Sequence, residues 1–381
     1  MYKKIFSTYL LCLTSLLADQ SQFAKYSTNI NEYTSETRSK VKRIEAKADY
    51  SFRIGKEIDQ KTFAKICSDI QWTRNLSTQY GNKNLDSFAP LEKLKDLRSF
   101  EAINWTKSED GAIDLEALSS LTKLENLNFY ATKVHNTPAL KNLTRLKTLS
   151  LYMSSVKDLS FLENLTELEE LDLYGFKHSF KHYAPLKNLV KLKKLNTYMN
   201  PQATNENLKV LTHLTALEEF SSSNNSAITH INFLNQAREL VILKLKWCRK
   251  LGNIEALKNC AKLKNLDLTD TEIKNISVLQ HKIHLNDLDI AGTQVTDLSP
   301  LKSCKQLQVL DISGTAITDL SALSSCPNLR SLNLSKTKIE DLDPLHKSKS
   351  LRHLTYSINI PDDEIAILKK LLPECKFRIN N

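Results

Sequence analysis

One stretch of the chain, Leu285 to Leu345, repeats almost the same wording three times. It reads LNDLDIAGTQVTDLSPLKSC, then LQVLDISGTAITDLSALSSC, and then LRSLNLSKTKIEDLDPL, so that Leu288, Leu310 and Leu332 fall 22 residues apart. A unit of this length supplies one short strand and a return segment, and it cannot bury its apolar residues alone. Such units are stable only when they stack, so the chain is predicted to be a solenoid whose core grows along one axis.

The same spacing continues through most of the chain. The first leucine of each strand, or a phenylalanine in its place, recurs every 22–25 residues, at Leu127, Leu149, Leu171, Leu195, Phe220, Leu243, Leu266, Leu288, Leu310, Leu332 and Leu354. Phe100 extends the series towards the N-terminus, Ile70 with Trp72 is a further candidate, and a leucine precedes each of the eleven by three residues. This period with an L-x-x-L-x-L core is the leucine-rich-repeat signature. We therefore predict an α/β solenoid, a leucine-rich-repeat horseshoe with a parallel concave β-sheet of about 11–12 strands and helical end caps.

The segments outside the repeats define the predicted domains. Residues 1–18 carry Lys3 and Lys4 before an apolar run that ends near Ala18, which predicts a cleaved signal peptide; the alternative is simply an apolar N-terminus. We interpret residues 19–54 as a polar linker, 55–75 as an N-terminal cap, 76–358 as leucine-rich repeats and 359–381 as a C-terminal cap. No later apolar run reaches the length of a membrane span, so we expect no stable membrane insertion.

Composition and motifs argue against catalytic, metal and nucleic-acid functions. The chain has 381 residues, a formal charge of +10 and only seven glycines, with no glycine-rich phosphate loop and no Ser/His/Asp or paired-acid motif, so we predict that it is not an enzyme. No basic run is interleaved with aromatic residues, so we expect no nucleic-acid partner. The pairs His178 with His182 and His281 with His284 have a spacing suited to metal ligands but no adjacent third ligand, so we predict no metal and no cofactor.

Two further slots of the repeat have predicted structural roles. Cys260, Cys304 and Cys326 stand six residues before the strand leucine, where earlier repeats have leucine, so we interpret them as small buried hydrophobic residues. Cys304 and Cys326 are one coil apart, a distance that alone permits a disulfide. The threonines five residues after the strand leucine, such as Thr293 and Thr315, are expected to bond otherwise unpaired backbone groups at the turn out of the strand.

The expected concave face carries the main candidate binding residues. Because side chains alternate along a strand, the residues one before, one after and three after the strand leucine point outward. Consecutive tyrosines occupy the last of these slots, and two methionines and a tryptophan come one position later; the candidates are Tyr130, Tyr152, Tyr174, Tyr198, Met153, Met199 and Trp247. Exposed Tyr, Trp and Met are enriched at the centres of interfaces, which favours binding. The competing interpretation is that the tyrosines only stabilise the sheet by cross-strand packing.

A second candidate set lies one residue after the strand leucine. It consists of Asp267, Asp289 and Asp311, with Asp287 beside them, and predicts an acidic patch on the same face. Aspartate is common at this place in such repeats, so the acidic patch ranks below the tyrosines.

The middle of the repeat region is irregular. Between Phe176 and Ala256 the spacing lengthens, and the core slots hold Thr197 and Ser222. One interpretation is drift in a tolerant repeat, and the other is a local bulge that shapes a binding surface.

The wording of the repeats resembles one known class. TQVTDLSPL at Thr293 to Leu301 and TAITDLSAL at Thr315 to Leu323 are similar to the 22-residue repeats of bacterial internalin-like proteins, and the resemblance covers about Phe100 to Tyr356. It implies a non-enzymatic protein that binds a protein partner, often a host-cell surface receptor, through its concave face, with the tyrosines in contact slots. The chain shows no immunoglobulin-like region after its repeats and no surface anchor, so attachment to a cell wall is not expected.

These observations lead to two hypotheses of different classes. The preferred one is an exported monomer (secreted, periplasmic or associated with the cell surface) that binds a protein partner, possibly a host-cell protein, through its concave face. The alternative is a cytosolic leucine-rich-repeat regulatory scaffold or adaptor, similar to phosphatase regulators or ubiquitin-ligase adaptors. Cleavage of the N-terminus distinguishes the two.

Overall fold

The computed structural model describes residues 26–43, 50–82, 84–104, 111–154, 156–175 and 180–380. The chain divides into two compact units, Met1–Leu149 and Ser150–Asn381. The predicted signal peptide at residues 1–18 and His178, one member of the first histidine pair, lie outside the described residues.

The first unit is built on parallel strands. Its strands are β1 (Tyr26–Ile30), β2 (Tyr50–Ile54), β3 (Asn75–Thr78), β4 (Ser99–Ile103), β5 (Ile113–Asp114), β6 (Asn126–Tyr130) and β7 (Val134–His135). β1, β2, β3, β4 and β6 pair in that order, and β5 pairs separately with β7. Its helices are α1 (Ser35–Arg43) and α2 (Gln60–Asp69), and its 3₁₀ turns are Ala89–Lys93, Glu116–Leu118 and Thr137–Asn142. Asp59 caps α2 because its Oδ1 accepts the N–H of Thr62 at 2.7 Å.

The structure corrects the predicted linker and N-terminal cap. β1, α1 and β2 lie within the range 19–54, and Ile30, Phe52 and Ile54 are fully buried although most of this stretch is polar. A helix does exist within 55–75, but α2 connects β2 to β3 and so does not close the first coil. Ile70 ends α2, and the strand position considered for it is taken by β3 instead.

The second unit repeats one coil. Its strands are β8 (Thr148–Ser150, which begins at the unit boundary), β9 (Glu170–Asp172), β10 (Lys194–Asn196), β11 (Glu219–Ser221), β12 (Ile242–Lys244), β13 (Asn265–Asp267), β14 (Asp287–Asp289), β15 (Val309–Asp311), β16 (Ser331–Asn333), β17 (His353–Tyr356) and β18 (Lys376–Ile379). From β9 to β18 each strand pairs in parallel with the next one along the chain. This register sets equivalent residues of successive repeats side by side.

Short turns return the chain from each strand to the next. The 3₁₀ turns are Ser160–Asn164, Ala184–Asn188, Lys209–His213, Asn232–Leu234, Glu255–Asn259, Ser277–Leu279, Ser299–Ser303, Ser321–Ser325 and Asp343–Leu345, and the helices are α3 (Asn205–Leu208) and α4 (Asp362–Leu371). The D-x-S wording begins these turns because Asp297 and Asp319 each accept the backbone N–H of the serine two residues later at 2.7 Å. No helix in the described part of the chain is long and apolar enough to cross a bilayer.

The core is a row of stacked leucines, as the period predicts. The eleven leucines that precede the strand leucine by three residues, from Leu124 to Leu351, are at most 1% exposed. Burying each contributes roughly 1.5–3 kcal/mol. Sixteen of the eighteen strands in the described residues belong to the main parallel series, more than predicted, because β1, β2, β3 and β18 add to the 12 strands that the leucine pattern marks.

The cysteine and threonine slots behave as predicted. The six cysteines in the described residues are buried and free, and the Sγ atoms of Cys260, Cys304 and Cys326 lie 3.4–3.7 Å from carbonyl oxygens of the preceding repeat. The hydroxyls of Thr293 and Thr315 donate to the carbonyl three residues earlier at 2.7 and 2.6 Å. These threonines therefore satisfy the carbonyls at the turn out of each strand.

The irregular middle of the repeats does not form a bulge in the sheet. β10, β11 and β12 pair without interruption, and the longest repeat places α3 in its return segment. The polar residues in its core satisfy one another, because Thr197 Oγ1 lies 2.7 Å from Ser222 Oγ and the Asn225 amide donates to that oxygen at 2.8 Å. The lost leucine positions are thus compensated locally by hydrogen bonds.

Candidate functional site

Three of the predicted tyrosines form a continuous stack in the second unit, called here the tyrosine stack. The rings of Tyr152 and Tyr174 have centroids 4.2 Å apart and planes 4° apart, and those of Tyr174 and Tyr198 are 5.1 Å and 12° apart. This geometry follows from the register, because parallel strands about 4.7–4.9 Å apart hold equivalent side chains at stacking distance. Tyr174 is only 8% exposed between its two half-buried neighbours, and its hydroxyl donates to Sδ of Met199 at 3.5 Å.

The fourth predicted tyrosine, Tyr130, belongs to the first unit. It ends β6, it is half-buried, and its carbonyl oxygen accepts the N–H of Asn104 at 2.6 Å. The tyrosine stack therefore consists of Tyr152, Tyr174 and Tyr198, all in the second unit.

The residue that follows each of these slots has a left-handed backbone. Met153, Met199 and Trp247 have φ values of +57°, +54° and +63°, and Gly292 and Gly314 have +67° and +68° at the same place in later repeats. A residue with a Cβ in this conformation costs roughly 1–2 kcal/mol relative to ordinary backbone. Three large apolar side chains therefore stand in a slot that glycine would occupy without strain.

Backbone hydrogen bonds impose this left-handed turn. The N–H groups of Met153, Met199 and Trp247 donate to carbonyls of the next repeat at 2.8, 3.0 and 2.7 Å. Met153 and Met199 therefore extend from a hydrogen-bonded turn beside the tyrosine stack, and Trp247 extends from the same turn of a later repeat. Gly175 leaves room for one of them, because a Cβ there would lie 3.1 Å from the sulfur of Met153.

The tryptophan is fixed by two charged neighbours. Trp247 Nε1 donates to Oδ2 of Asp270 at 2.9 Å, and the ammonium of Lys246 lies 4.9 Å from the centroid of the indole ring. The repeat pattern alone did not indicate Asp270 and Lys246 as neighbours of Trp247. Their only signal is position, since Lys246 stands in the tyrosine slot and Asp270 in the left-handed slot of the next repeat.

An open depression lies against the methionine end of the tyrosine stack. It has a volume of 310 Å³ and is lined by Met199, Pro201, Ala203 and residues 224–227. None of these side chains titrates, so the depression offers apolar contact and amide hydrogen bonds rather than acid–base chemistry.

The three predicted aspartates, called here the acidic row, lie side by side in the register of β13, β14 and β15. Each of Asp267, Asp289 and Asp311 uses its Oδ1 to accept the backbone N–H two residues later, at 3.0, 3.0 and 2.8 Å. Asn196 and Asn333 make the same bond in other repeats. The slot therefore has a turn-forming role that does not need a charge.

Burial and mutual repulsion change the protonation of part of this face. Burial, reinforced by the charge of Asp267, raises the pKa of Asp289 to about 7. Burial also raises the pKa of Asp287, and it raises that of Asp172, beside the tyrosine stack, to about 6. At neutral pH the acidic row therefore carries less than its full formal charge.

The histidine pairs singled out in the sequence do not form sites among the described residues. His281 and His284 are exposed, and His182 is exposed as well. None of the three belongs to a group of three candidate metal ligands in the described part of the chain.

These features define a leucine-rich-repeat protein whose parallel sheet carries stacked aromatic side chains. Residues 283–325 match the family model described as leucine-rich repeats in two copies. The structure is similar to that of the internalin InlF from Listeria monocytogenes (24% identity, 83% of this chain, 88% of that chain, TM-score 0.72). It is also similar to a leucine-rich-repeat protein from Leptospira interrogans (18% identity, 91% and 93%, TM-score 0.75).

A further similarity is to a protein from Drosophila. The Drosophila Toll structure, solved in complex with Spätzle, is 16% identical in sequence and has a TM-score of 0.67. The match covers 94% of this chain and 55% of the Toll chain. No curated protein sequence matches the chain. The comparisons show that this chain has the leucine-rich-repeat fold, as the internalin-like wording of its repeats predicts.

Proposed function

We propose that this protein is an exported, non-enzymatic binding protein whose tyrosine stack, together with Met153, Met199 and Trp247, contacts a protein partner. The observation that carries the proposal is the tyrosine stack itself, whose ring centroids lie 4.2 and 5.1 Å apart along one face of the sheet. Met153 and Met199 stand in the left-handed slots beside this stack, and Trp247 stands in the same slot of a later repeat. Stacked tyrosines with neighbouring methionines have the composition of interface centres.

The tyrosine stack suits this role physically. Its rings are already held by one another, so a partner that packs on Tyr152 and Tyr198 immobilises little further side-chain freedom. Their phenol groups add hydrogen-bonding capacity to an apolar surface, which is the composition of interface hot spots. The adjacent depression at Met199 provides a place for a side chain of the partner.

The comparisons support a binding function by analogy. The Toll structure and a plant receptor structure, RGFR1, were solved in complex with Spätzle and with the peptide hormone RGF2 respectively. Both similarities lie below 25% identity and therefore concern the fold. The proposal of a protein partner for this chain rests on its own aromatic face, and the acidic row is its second contact set.

The binding proposal is tested by capture and then by substitution. A photoreactive phenylalanine analogue at Tyr198 is expected to cross-link one protein from the extracellular environment of the native organism. The Tyr152→Ala/Tyr174→Ala variant should then bind that protein at least about ten-fold more weakly, as expected for removal of interface anchors. Tyr80→Ala is the matched control, because Tyr80 is 66% exposed outside the tyrosine stack.

The outcomes of this experiment are distinct. Unchanged affinity in the double variant, with a native circular dichroism spectrum, would show that the tyrosine stack is not the contact surface. An equal loss in Tyr80→Ala would indicate a non-specific effect of removing exposed aromatic area.

Export is tested separately by the intact mass of the native protein in cell and medium fractions. The proposal predicts loss of about the first 18 residues and accumulation outside the cytoplasm, as a cleaved signal peptide requires. A full-length chain in the cytosol would contradict export and favour the alternative, a cytosolic regulatory scaffold.

A further inference from the structure

Three potential metal ligands meet where the last repeat contacts its terminal helix, and they are called here the C-terminal triad. Asp343 begins the 3₁₀ turn Asp343–Leu345, His346 follows that turn, and Glu364 lies in the first turn of α4. One ligand atom from each lies within 4.8 Å of the others. The triad is the one such group of three in the described residues.

Backbone bonds hold the triad in place. The N–H of His346 donates to the carbonyl of Asp343 at 3.0 Å, which sets these two side chains on one turn. Glu364 Oε2 accepts the N–H of Leu342 at 3.0 Å, which fixes α4 against that turn. The carboxylate of Glu364 retains a second oxygen, so it can serve the turn and a cation together.

The distances suit a small divalent ion. Asp343 Oδ1 and His346 Nε2 are 3.4 Å apart. Two ligands of a tetrahedral zinc ion lie roughly 3.4 Å apart when each metal–ligand distance is about 2.0–2.2 Å. The ligand atom of Glu364 completes the group, since all three ligand atoms lie within 4.8 Å of one another.

The ring nitrogen supplies an independent observation. His346 Nε2 is buried and has no hydrogen-bond partner, although the carboxylate of Asp343 lies beside it. A buried polar atom without a partner costs roughly 1–3 kcal/mol. A metal ion would give this nitrogen a coordination bond in place of the missing hydrogen bond.

The local charge also favours a cation. Glu340, Asp341 and Asp343 precede the turn or begin it, and residues 362–364 add three further carboxylates at the start of α4. Within the described residues none of these six forms an ion pair with a lysine or arginine. Carboxylates grouped in this way attract cations to this end of the second unit.

We propose that Asp343, His346 and Glu364 bind one divalent transition-metal ion, with Zn²⁺ as the ion of choice, and that this ion couples α4 to the last repeat. One imidazole and two carboxylates suit zinc better than calcium or magnesium, which bind oxygen ligands only. The remaining coordination positions belong to water. The ion holds α4 against the last repeat and so stabilises the C-terminal end of the second unit.

The test uses the full-length chain without an affinity tag, after removal of metals with a chelator. Titration with ZnCl₂ in a calorimeter is expected to give one site, and zinc is expected to raise the melting temperature of the chain. His346→Gln should weaken zinc binding by about ten-fold or more, since loss of even a supporting residue costs that much. Glu364→Gln should do the same while its amide oxygen still accepts the Leu342 N–H.

Two variants make the result decisive. His284→Gln removes an exposed histidine elsewhere in the same unit and should bind zinc as the unmodified chain does. Asp343→Asn changes a side chain that is 72% exposed, so it should fold even if His346→Gln does not. No zinc binding, or equal binding by His346→Gln and His284→Gln, would overturn the proposal. If Asp343 and His346 form only an ion pair, Asp343→Asn and His346→Gln will each lower the melting temperature in the absence of zinc. Zinc will then not raise the melting temperature of the unmodified chain, which would also overturn the proposal.

Discussion

At the scale of single residues, substitutions in the left-handed slot after each strand can distinguish an effect on stability from an effect on binding. Lys336 occupies this slot with φ at +58° and is exposed, far along the repeats from the tyrosine stack. Lys336→Gly should stabilise the chain by about 0.5–1 kcal/mol, because glycine adopts this conformation without strain and only part of that gain is lost to unfolded-state entropy. Urea denaturation measures the change, and a lower midpoint would contradict the strain account.

Met199 gives the contrasting case in the same slot. Met199→Gly relieves the same strain but removes the sulfur that accepts the Tyr174 hydroxyl, so we expect a smaller net gain than for Lys336→Gly. It should also weaken binding to the partner captured at the tyrosine stack, whereas Lys336→Gly should not. Equal binding by both variants would remove Met199 from the proposed contact set.

Asp289 makes the stability of the chain depend on pH. Its folded-state pKa of about 7 lies above the unfolded value of roughly 3.9. A group whose pKa is raised by folding favours the folded state fully below its unfolded pKa, and that contribution is lost as the pH rises through the folded pKa. The contribution of Asp289 therefore decreases between about pH 4 and pH 7.

Asp289→Asn tests this sign. The amide keeps the bond to the N–H of Ala291, as Asn333 does for Ser335 in its repeat, and it cannot ionise. We expect the variant to match the unmodified chain near pH 4 and to exceed its stability at pH 8 by about 1–2 kcal/mol, after allowance for solvent screening. Asp297→Asn is the control with the opposite sign, because hydrogen bonds from Ser299 lower the pKa of Asp297. Parallel pH profiles for the two variants would contradict the assignment.

At the scale of the coil, the packing slot six residues before the strand leucine holds a lysine in one repeat. Lys282 is only 4% exposed, and it stands between Cys260 and Cys304 in the row that earlier repeats fill with leucine. Its ammonium donates to the carbonyl of Lys258 at 3.2 Å, and burial lowers its pKa. The slot thus carries a charge where its neighbours carry apolar side chains.

Lys282→Leu should therefore stabilise the coil by about 1–2 kcal/mol, because a leucine buries fully there and no charge is desolvated. The measurement is the urea midpoint at constant m-value. Lys302→Leu is the control, since Lys302 is exposed and its replacement should leave the midpoint unchanged. A loss of stability in Lys282→Leu would mean that the carbonyl bond outweighs the burial.

The repeat period determines how much of the fold and of the candidate site could be predicted from the sequence. The strand positions and the buried leucines follow from a period that each repeat restates, and the tyrosine stack follows once equivalent residues share a register. β1 and β2 keep a spacing of 24 residues, since Thr28, Phe52, Leu76 and Phe100 are equivalent in the register, but they lack the leucines of the L-x-x-L-x-L wording and therefore gave no repeat signal. The contact of Trp247 with Asp270 depends on side-chain conformation, and the approach of Glu364 to His346 depends on how α4 docks, which no local pattern encodes. The left-handed slot did have a signal, since glycine stands there in two repeats.

At the scale of the whole molecule, a solenoid makes stability a local quantity. Within the second unit each strand pairs only with the strands of the repeats before and after it, so the stability is a sum of repeat and interface contributions. The middle repeats have two neighbours, whereas the last coil is covered on one side by α4 and β18. Terminal coils are therefore expected to open at lower free energy than central ones.

Two equivalent leucine deletions in the second unit test this gradient. Leu266 in β13 and Leu354 in β17 are both buried, and replacement of either by alanine should cost about 2–5 kcal/mol of local packing. In Leu354→Ala, native-state hydrogen exchange should lose protection in β17, β18 and α4 while the strands from β10 to β13 keep theirs. In Leu266→Ala the loss should spread over β12, β13 and β14, because both of their interfaces are weakened. If both variants instead reduce protection equally at every strand of the unit, its coils unfold as one cooperative body and the additive description fails.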